Sequence, residues 1–284
     1  MLTITTPLDT ANNALEPPVS SVLDKRPQRI VSLSPANTEI LFALGAGERV
    51  VGVSSYSDYP EQAKTKPSIG PYNAPDLEKI IALEPDLVVA IGGLQAQYIK
   101  SLEKAGIMVV SVDPQNMEEI LTAIDIISEA IGEQQRGAIL HAELVKKLNQ
   151  VRQLNVNDTP KKVFLEVWDA PLLTVGNKSF INDIITRAGG ANVASDKNVD
   201  YTPCDLEALY AYDPEVYIVI SHSHSADKAF IKKTYFSDMA VIKNQQIFAI
   251  NDDLLTRPGP RSFDGLVRLA QILHPKAVKN GAMK

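Results

Sequence analysis

Two histidines one residue apart, His222 and His224, directly follow the run EVYIVI in the stretch EVYIVISHSHS. Neutral imidazoles at a strand end could ligate a metal ion or cap the metal of a bound cofactor. Ligands of open α/β sheets gather outside the carboxyl ends of the strands, which is where these two fall. Two imidazoles are an incomplete metal site, and no carboxylate partner is identifiable, so two polar residues in a solvated turn fit the same pattern. A second polar pair, Asp253 and Arg257, stands in NDDLLTRPGPR after a late β-type run. Such a pair could hydrogen-bond amide or carboxylate groups of a ligand, or it could secure a proline-rich turn as a local ion pair. Catalytic motifs are missing: there is no phosphate-binding glycine loop, no H-E-x-x-H and no G-x-S-x-G. The serine of SLSPANTE has no histidine positioned nearby as a base, so no catalytic residue is assigned and no enzyme is expected. A metal-dependent enzyme or metallochaperone built on His222 and His224 is the reading from a different class.

Aromatic residues give a broader signal. Tyr56, Tyr59, Tyr72, Trp168 and Tyr201 sit after strand-like runs or before helix-like ones rather than at helix-core spacing. Aromatics gathered at strand ends suit a large flat ligand, although each taken singly fits partly buried packing equally well.

These residues need elements to hold them. RIVSL (29–33) and VVGVSS (50–55) are β-branched runs, and the segment between them reads as a helix that Gly45 or Gly47 stops. LEKIIALEP is helical and ended by Pro85. DLVVAI is a strand ending at Gly92 and Gly93, QAQYIKSLEKAG a helix and IMVVSVD a strand. From Asn116, an N-cap residue, the chain is helical to about Asn155, with Gly132 dividing it. The second part, 133–155, predicts a helix roughly 33 Å long, about the diameter of a domain. Strand–helix alternation then resumes with KKVFLEV, and DKAFIKKTYFSDM (227–239) reads as at least partly helical. The pattern predicts an α/β fold of two Rossmann-like lobes with mostly parallel sheets, joined by one long helix. The boundaries are a leader at 1–28, a first lobe at 29–132, the linking helix at 133–155, a second lobe at 156–276 and a tail at 277–284.

One unit occurs twice. Asp76, Leu77, Glu78, Ala82 and Pro85 recur as Asp205, Leu206, Glu207, Ala211 and Pro214 at one constant offset, which Tyr72 and Tyr201 share. N-capping Asp, first-turn Glu and a following Pro are generic helix signals, but the shared offset points to a repeat used once per lobe. The totals agree with two cores: 284 residues, 45% apolar and 22% charged. A net charge of −6 gives no basic footprint for nucleic acid or an anionic membrane. The single cysteine, Cys204, excludes an intrachain disulfide. The leader is polar and lacks the basic start and apolar core of a secretory signal. Taken alone, it leaves a cytoplasmic protein and an exported one numbered without its signal equally open.

Residues 29 to 60, RIVSLSPANTEILFALGAGERVVGVSSYSDYP, resemble the opening of the vitamin B12-binding proteins of bacterial ABC importers, within the wider family that also binds haem and ferric siderophores. SPANTE and VGVSSYSDYP carry the resemblance, L-E-x-I-x-A-L-x-P-D-L-V and the closing R-x-x-P-R extend it, and it runs to about residue 275. It implies an extracytoplasmic, monomeric substrate-binding protein without an intrinsic cofactor, which holds cobalamin or another corrinoid between two lobes and delivers it to a permease dimer. Haem or a ferric siderophore is the alternative cargo, with a tyrosine or His222 or His224 as the iron ligand of haem. Carried over by position, Ala36 and Tyr56 line the cleft, and Asp253 and Arg257 meet the side amides of the corrin. Tyr72 and Tyr201 stand where the family pattern has tryptophans, Ile91 where it has another, and Trp168 lies near a cleft phenylalanine. The resemblance assigns Glu78 and Glu207 to docking on basic residues of the permease.

Overall fold

The computed structural model describes residues 26–154, 159–221 and 238–275. The first part is β1 (Ile30–Ser32), α1 (Pro35–Ala43), β2 (Val50–Val53), α2 (Leu77–Ala82), β3 (Leu87–Ile91), α3 (Gly92–Lys104), β4 (Val109–Val112) and α4 (Met117–Ala130). A single long helix, α5 (Gln134–Leu154), follows it. The second part is β5 (Lys161–Glu166), β6 (Trp168–Asp169), β7 (Leu172–Val175), α6 (Phe180–Arg187), β8 (Gly190–Asn192), β9 (Tyr201–Pro203), α7 (Leu206–Tyr212) and β10 (Val216–Ser221). After the undescribed stretch come α8 (Ala240–Lys243), β11 (Ile247–Asn251), α9 (Asp253–Thr256) and α10 (Ser262–Leu273). His222, His224, the 227–239 segment as far as residue 237 and the 277–284 tail lie outside the described residues, as does the leader up to residue 25.

Two parallel four-stranded sheets carry the fold, in the orders β2-β1-β3-β4 and β8-β5-β10-β11. The orders superimpose strand for strand, so α2–β3 and α7–β10, the two copies of the sequence repeat, occupy the same place in each. The copies agree in detail. Asp76 caps α2 by accepting from the Lys79 amide, and Asp205 caps α7 by accepting from the Ala208 amide. The residue before each proline, Glu84 at φ 46° and Asp213 at φ 43°, takes a left-handed turn into the strand.

Strand residues alternate between two buried environments, the mark of sheets covered on both faces. Ile30, Leu87 and Val89 of the first sheet and Val163, Leu165 and Ile218 of the second belong to one apolar cluster. That cluster passes from lobe to lobe through Ile120, Ile124 and Ile127 of α4, Leu144, Leu148 and Val151 of α5, and Leu266 and Leu269 of α10. Val31, Val88 and Ala90 pack on the outer side of the first sheet; Phe164 and Tyr217 do so on the second. The lobes are therefore joined by a shared core as well as by one helix.

Polar contacts reinforce the joint. The first amide of α4, that of Met117, donates to Asp183 of α6 at 2.9 Å. Arg187, also on α6, pairs with both Asp183 and Glu118 of α4. Where α4 turns back into α5, Gly132 takes φ 72°, as a dividing glycine should.

Two features depart from the sequence reading. β3 does end at Ile91, just before the glycine pair, but α3 opens at Gly92 rather than at Gln95, because the chain turns straight from strand into helix against Asp113, 3.2 Å from where a Gly92 side chain would begin. A small antiparallel sheet, β6-β7-β9, projects from the second lobe. Its strands are two to four residues long, too short to show an alternating pattern.

Gly137 marks the closest approach of α4 and α5: a Cβ there would lie 2.5 Å from Ser128 Cβ. Gly137→Ala is expected to lower stability by about 1–3 kcal/mol, the usual cost of overpacking, despite the better helix propensity of alanine. Urea unfolding followed by circular dichroism measures it.

Candidate functional site

The two motifs that carried the resemblance form one buried hydroxyl cluster. Ser34 is the N-cap of α1, its Oγ accepting from the Asn37 amide at 3.2 Å, which gives it a structural role. The Thr38 hydroxyl lies 2.8 Å from Ser32 Oγ, 2.9 Å from the Ser34 carbonyl oxygen and 3.0 Å from Ser57 Oγ. Ser57 in turn meets Ser54 Oγ at 2.8 Å, and the Asn37 side chain donates to the Ala90 carbonyl. SPANTE and SSYSD thus lock three strand ends together and fix the loop that carries Tyr56 and Asp58. Gln95, fully buried, completes the clamp. Its amide nitrogen donates to the carbonyls of Leu33 and Tyr72, and its oxygen accepts from the Ile91 amide.

These loops bring the predicted aromatics into two groups. Tyr56 and Tyr72 meet edge to face with ring centroids 6.2 Å apart. In the small sheet, Trp168 pairs with Leu173 and Val175 with Tyr201, so Trp168 and Tyr201 share one face on either side of β7. Burial raises the Tyr201 hydroxyl pKa, helped by Asp200 and, to a smaller extent, by Tyr72 of the other lobe. All four rings are substantially exposed, Tyr56 at 57% and Trp168 at 52%, an unusual state for aromatics in an otherwise well-packed protein. Ala36, in the first turn of α1, lies beneath the 257–261 loop beside Gly259.

Tyr59 does not join them. Its ring stacks under the Arg261 guanidinium at 4.0 Å. A cavity of about 710 Å³ opens there, lined by Phe42, Tyr59, Leu140, Leu144, Pro260 and Arg261 among others, and by none of Tyr56, Tyr72, Trp168 and Tyr201. Its walls come from both lobes and from α5, and they include Glu39.

Asp253 and Arg257 pair at 2.7 Å, but the pair is not merely local. Arg257 also reaches Asp58 of the first lobe at 2.5 Å, and Arg261 joins Asp253 at 3.2 Å to Glu39 of α1 at 2.6 Å. Glu39, Asp58, Asp253, Arg257 and Arg261 make one charged chain that crosses from lobe to lobe. The Glu39 side chain is only 2% exposed. Burial pushes its carboxyl above the ordinary glutamate value, and the hydrogen bond and charge of Arg261, with Arg257 behind it, pull it partly back. Asp58 ends below the ordinary aspartate value: burial opposes its ionisation, but the hydrogen bond and charge of Arg257 outweigh that.

The sequence reading missed Glu39, Asp58, Arg261 and Gln95. The first three lie inside motifs already singled out, SPANTE, SSYSDYP and R-x-x-P-R, but nothing in the order of residues indicates that these segments meet. Glu78 and Glu207 are exposed in the first turns of α2 and α7 and are not in contact with the charged chain. Among the described residues no cluster of three or more His, Cys, Asp or Glu side chains could hold a metal ion. None of the described helices is long and apolar enough to cross a membrane.

Comparison with known proteins gives the family. The sequence matches the periplasmic binding protein family over residues 30–254. It is 33% identical to an uncharacterised ABC transporter substrate-binding lipoprotein, YvrC, of Bacillus subtilis, over 90% of this chain and 83% of the relative. It is 30% identical to a vitamin B12-binding protein of Vibrio campbellii, over 86% of this chain and 88% of that one. Among solved structures, the periplasmic vitamin B12-binding protein BtuF of Vibrio cholerae matches with a TM-score of 0.78 at 26% identity, covering 87% of this chain and 97% of that one. The haem-binding protein RhuT of Roseiflexus sp. RS-1 matches with a TM-score of 0.77 at 28% identity, covering 90% and 99%.

Glu39→Ala removes the cross-lobe partner of Arg261 and should cost about 3 kcal/mol in unfolding free energy, as breaking a buried ion pair does. Glu39→Gln, which keeps a hydrogen-bond acceptor and carries no charge to desolvate, should lose far less. Denaturant titration of the two variants side by side measures the difference.

Proposed function

Because this chain belongs to the periplasmic binding protein family, a family of substrate-binding transport proteins, we propose that it captures a corrinoid outside the cytoplasm and delivers it to an ABC importer. The observation that carries this reading is the arrangement of exposed rings and charges between the lobes. Tyr56 and Tyr72 on one lobe and Trp168 and Tyr201 on the other offer flat apolar surface to a macrocycle. Arg257, which meets Asp58 in the loop of Tyr56, makes with Asp253 a donor-and-acceptor pair suited to the side amides of a corrin. Similarity to vitamin B12-binding proteins over most of the chain supports the same cargo. Haem is the second reading, favoured by the cleft tyrosines as candidate iron ligands and by the likeness to RhuT.

Docking follows from the duplicated unit. A permease dimer presents its two-fold symmetry, and a monomer can match it only with equivalent groups on two related lobes. Glu78 and Glu207 hold the same position on α2 and α7, each two residues past the capping aspartate. Exposed rim charges of this kind set encounter and orientation more than affinity for the cargo.

Trp168 is the only tryptophan, so its fluorescence reports on the cleft directly. Titration with cyanocobalamin should quench it with a one-to-one endpoint, matched by calorimetry. Heat and quenching both absent at tens of micromolar would overturn the corrinoid reading. Haemin giving a shifted Soret band that a Tyr72 or Tyr201 variant abolishes would replace it with haem.

Combining Glu78→Ala with Glu207→Ala should leave cargo affinity within about twofold while reducing stimulation of the importer's ATPase by at least about tenfold. Equal losses in both measurements would assign the pair to the fold or the cargo site instead.

A further inference from the structure

The cross-lobe chain bears on which ligand groups the cleft accepts, an argument that rests on the cargo site proposed above. Arg257 reaches the loop that carries Tyr56 through Asp58, and it is already met by carboxylates, Asp253 Oδ1 at 2.7 Å and Asp58 Oδ1 at 2.5 Å, with Glu39 at 3.8 Å. Arg261 is met by Glu39 at 2.6 Å and by Asp253 at 3.2 Å. Three acids therefore face two guanidiniums. Lys64, which lies within reach of the Asp58 charge, is itself held by Glu61 at 2.8 Å. Whether or not buried Glu39 is ionised, these residues leave no surplus positive charge.

A ligand carboxylate accepting from Arg257 would add a further anion beside Asp58 and Asp253. Like charges juxtaposed in a partly dry site are costly. A primary amide fits the same groups without adding an anion: its NH₂ donates to Asp58 or Asp253, and its carbonyl accepts from Arg257. Asp58 is not a passive surface charge. The buried Ser54–Ser57 contact holds its loop, and its own amide donates to the Tyr56 carbonyl at 3.1 Å.

We propose that Asp58 is a specificity-determining residue: by neutralising Arg257 from the opposite lobe, it makes the cleft select macrocycles bearing neutral amides over macrocycles bearing carboxylates. Two corrinoids that share one ring test it by calorimetry: dicyanocobinamide, whose side chains are amides, and dicyanocobyrinic acid, whose side chains are carboxylates. The wild type should favour the amide form by at least about tenfold. Asp58→Asn should shift that ratio toward the acid by about tenfold, which is about 1.4 kcal/mol. Asp58→Ser, which removes the same charge with a smaller side chain, should repeat the shift. Asp125→Asn changes net charge equally on α4, where Asp125 pairs with His141, and should leave the ratio unmoved. An unchanged ratio in both Asp58 variants, or an equal shift in Asp125→Asn, overturns the inference while the corrinoid reading stands. Failure of the wild type to bind either probe overturns both.

Discussion

A carboxylate of one lobe buried against an arginine of the other is the contact on which the rest of this structure depends. Glu39 and Arg261 meet at 2.6 Å where α1 faces the start of α10, with both side chains largely out of water. Taking a charged pair out of solvent is costly, so such a pair persists only where packing and further hydrogen bonds fix its geometry. Here Asp253 takes a second contact from Arg261 and passes it to Arg257, which ends on Asp58. One buried pair thereby fixes two side chains of the proposed cargo site and sets the local spacing of the lobes. The shared apolar core of α4, α5 and α10 and the Glu118–Arg187–Asp183 contacts do the same at other points of the joint.

The duplication acquires a physical purpose in this setting. Each lobe uses the same capped helix, the same left-handed residue before proline and the same following strand, in sheets of the same order. Fixing two such lobes relative to each other also fixes the distance between Glu78 and Glu207. A protein that must fit a two-fold partner gains from a rigid joint, since a variable spacing would spoil the match.

Much of this was legible in the sequence. The alternation of β-branched runs with capped helices located both parallel sheets, and Asn116 and Gly132 bounded α4, because these signals are local. Tyr56, Tyr72, Trp168 and Tyr201 could be picked out because aromatics at strand ends are out of place in a core pattern. The small sheet that pairs Trp168 with Tyr201 could not, since strands of two to four residues leave no periodicity. Nor could the charged chain: Glu39 and Arg261 are 222 residues apart, and each alone reads as an ordinary charge near a helix start. Gln95 is hidden for the same reason, a polar residue within a helix whose importance lies entirely in the three backbone groups it meets.

With the joint fixed at these points, the lobes should hold their separation when cargo enters. Spin labels at Lys104→Cys on α3 and Lys243→Cys on α8, in a Cys204→Ser background, give the distance between lobes by pulsed electron resonance. Free protein and protein saturated with cyanocobalamin, as judged by Trp168 quenching, should show one narrow distribution displaced by less than about 2 Å, the scale that separates local adjustment from domain movement. A shift of about 5 Å or more, or a broad distribution in the free protein that narrows on binding, would contradict it by showing lobes that close like a hinge.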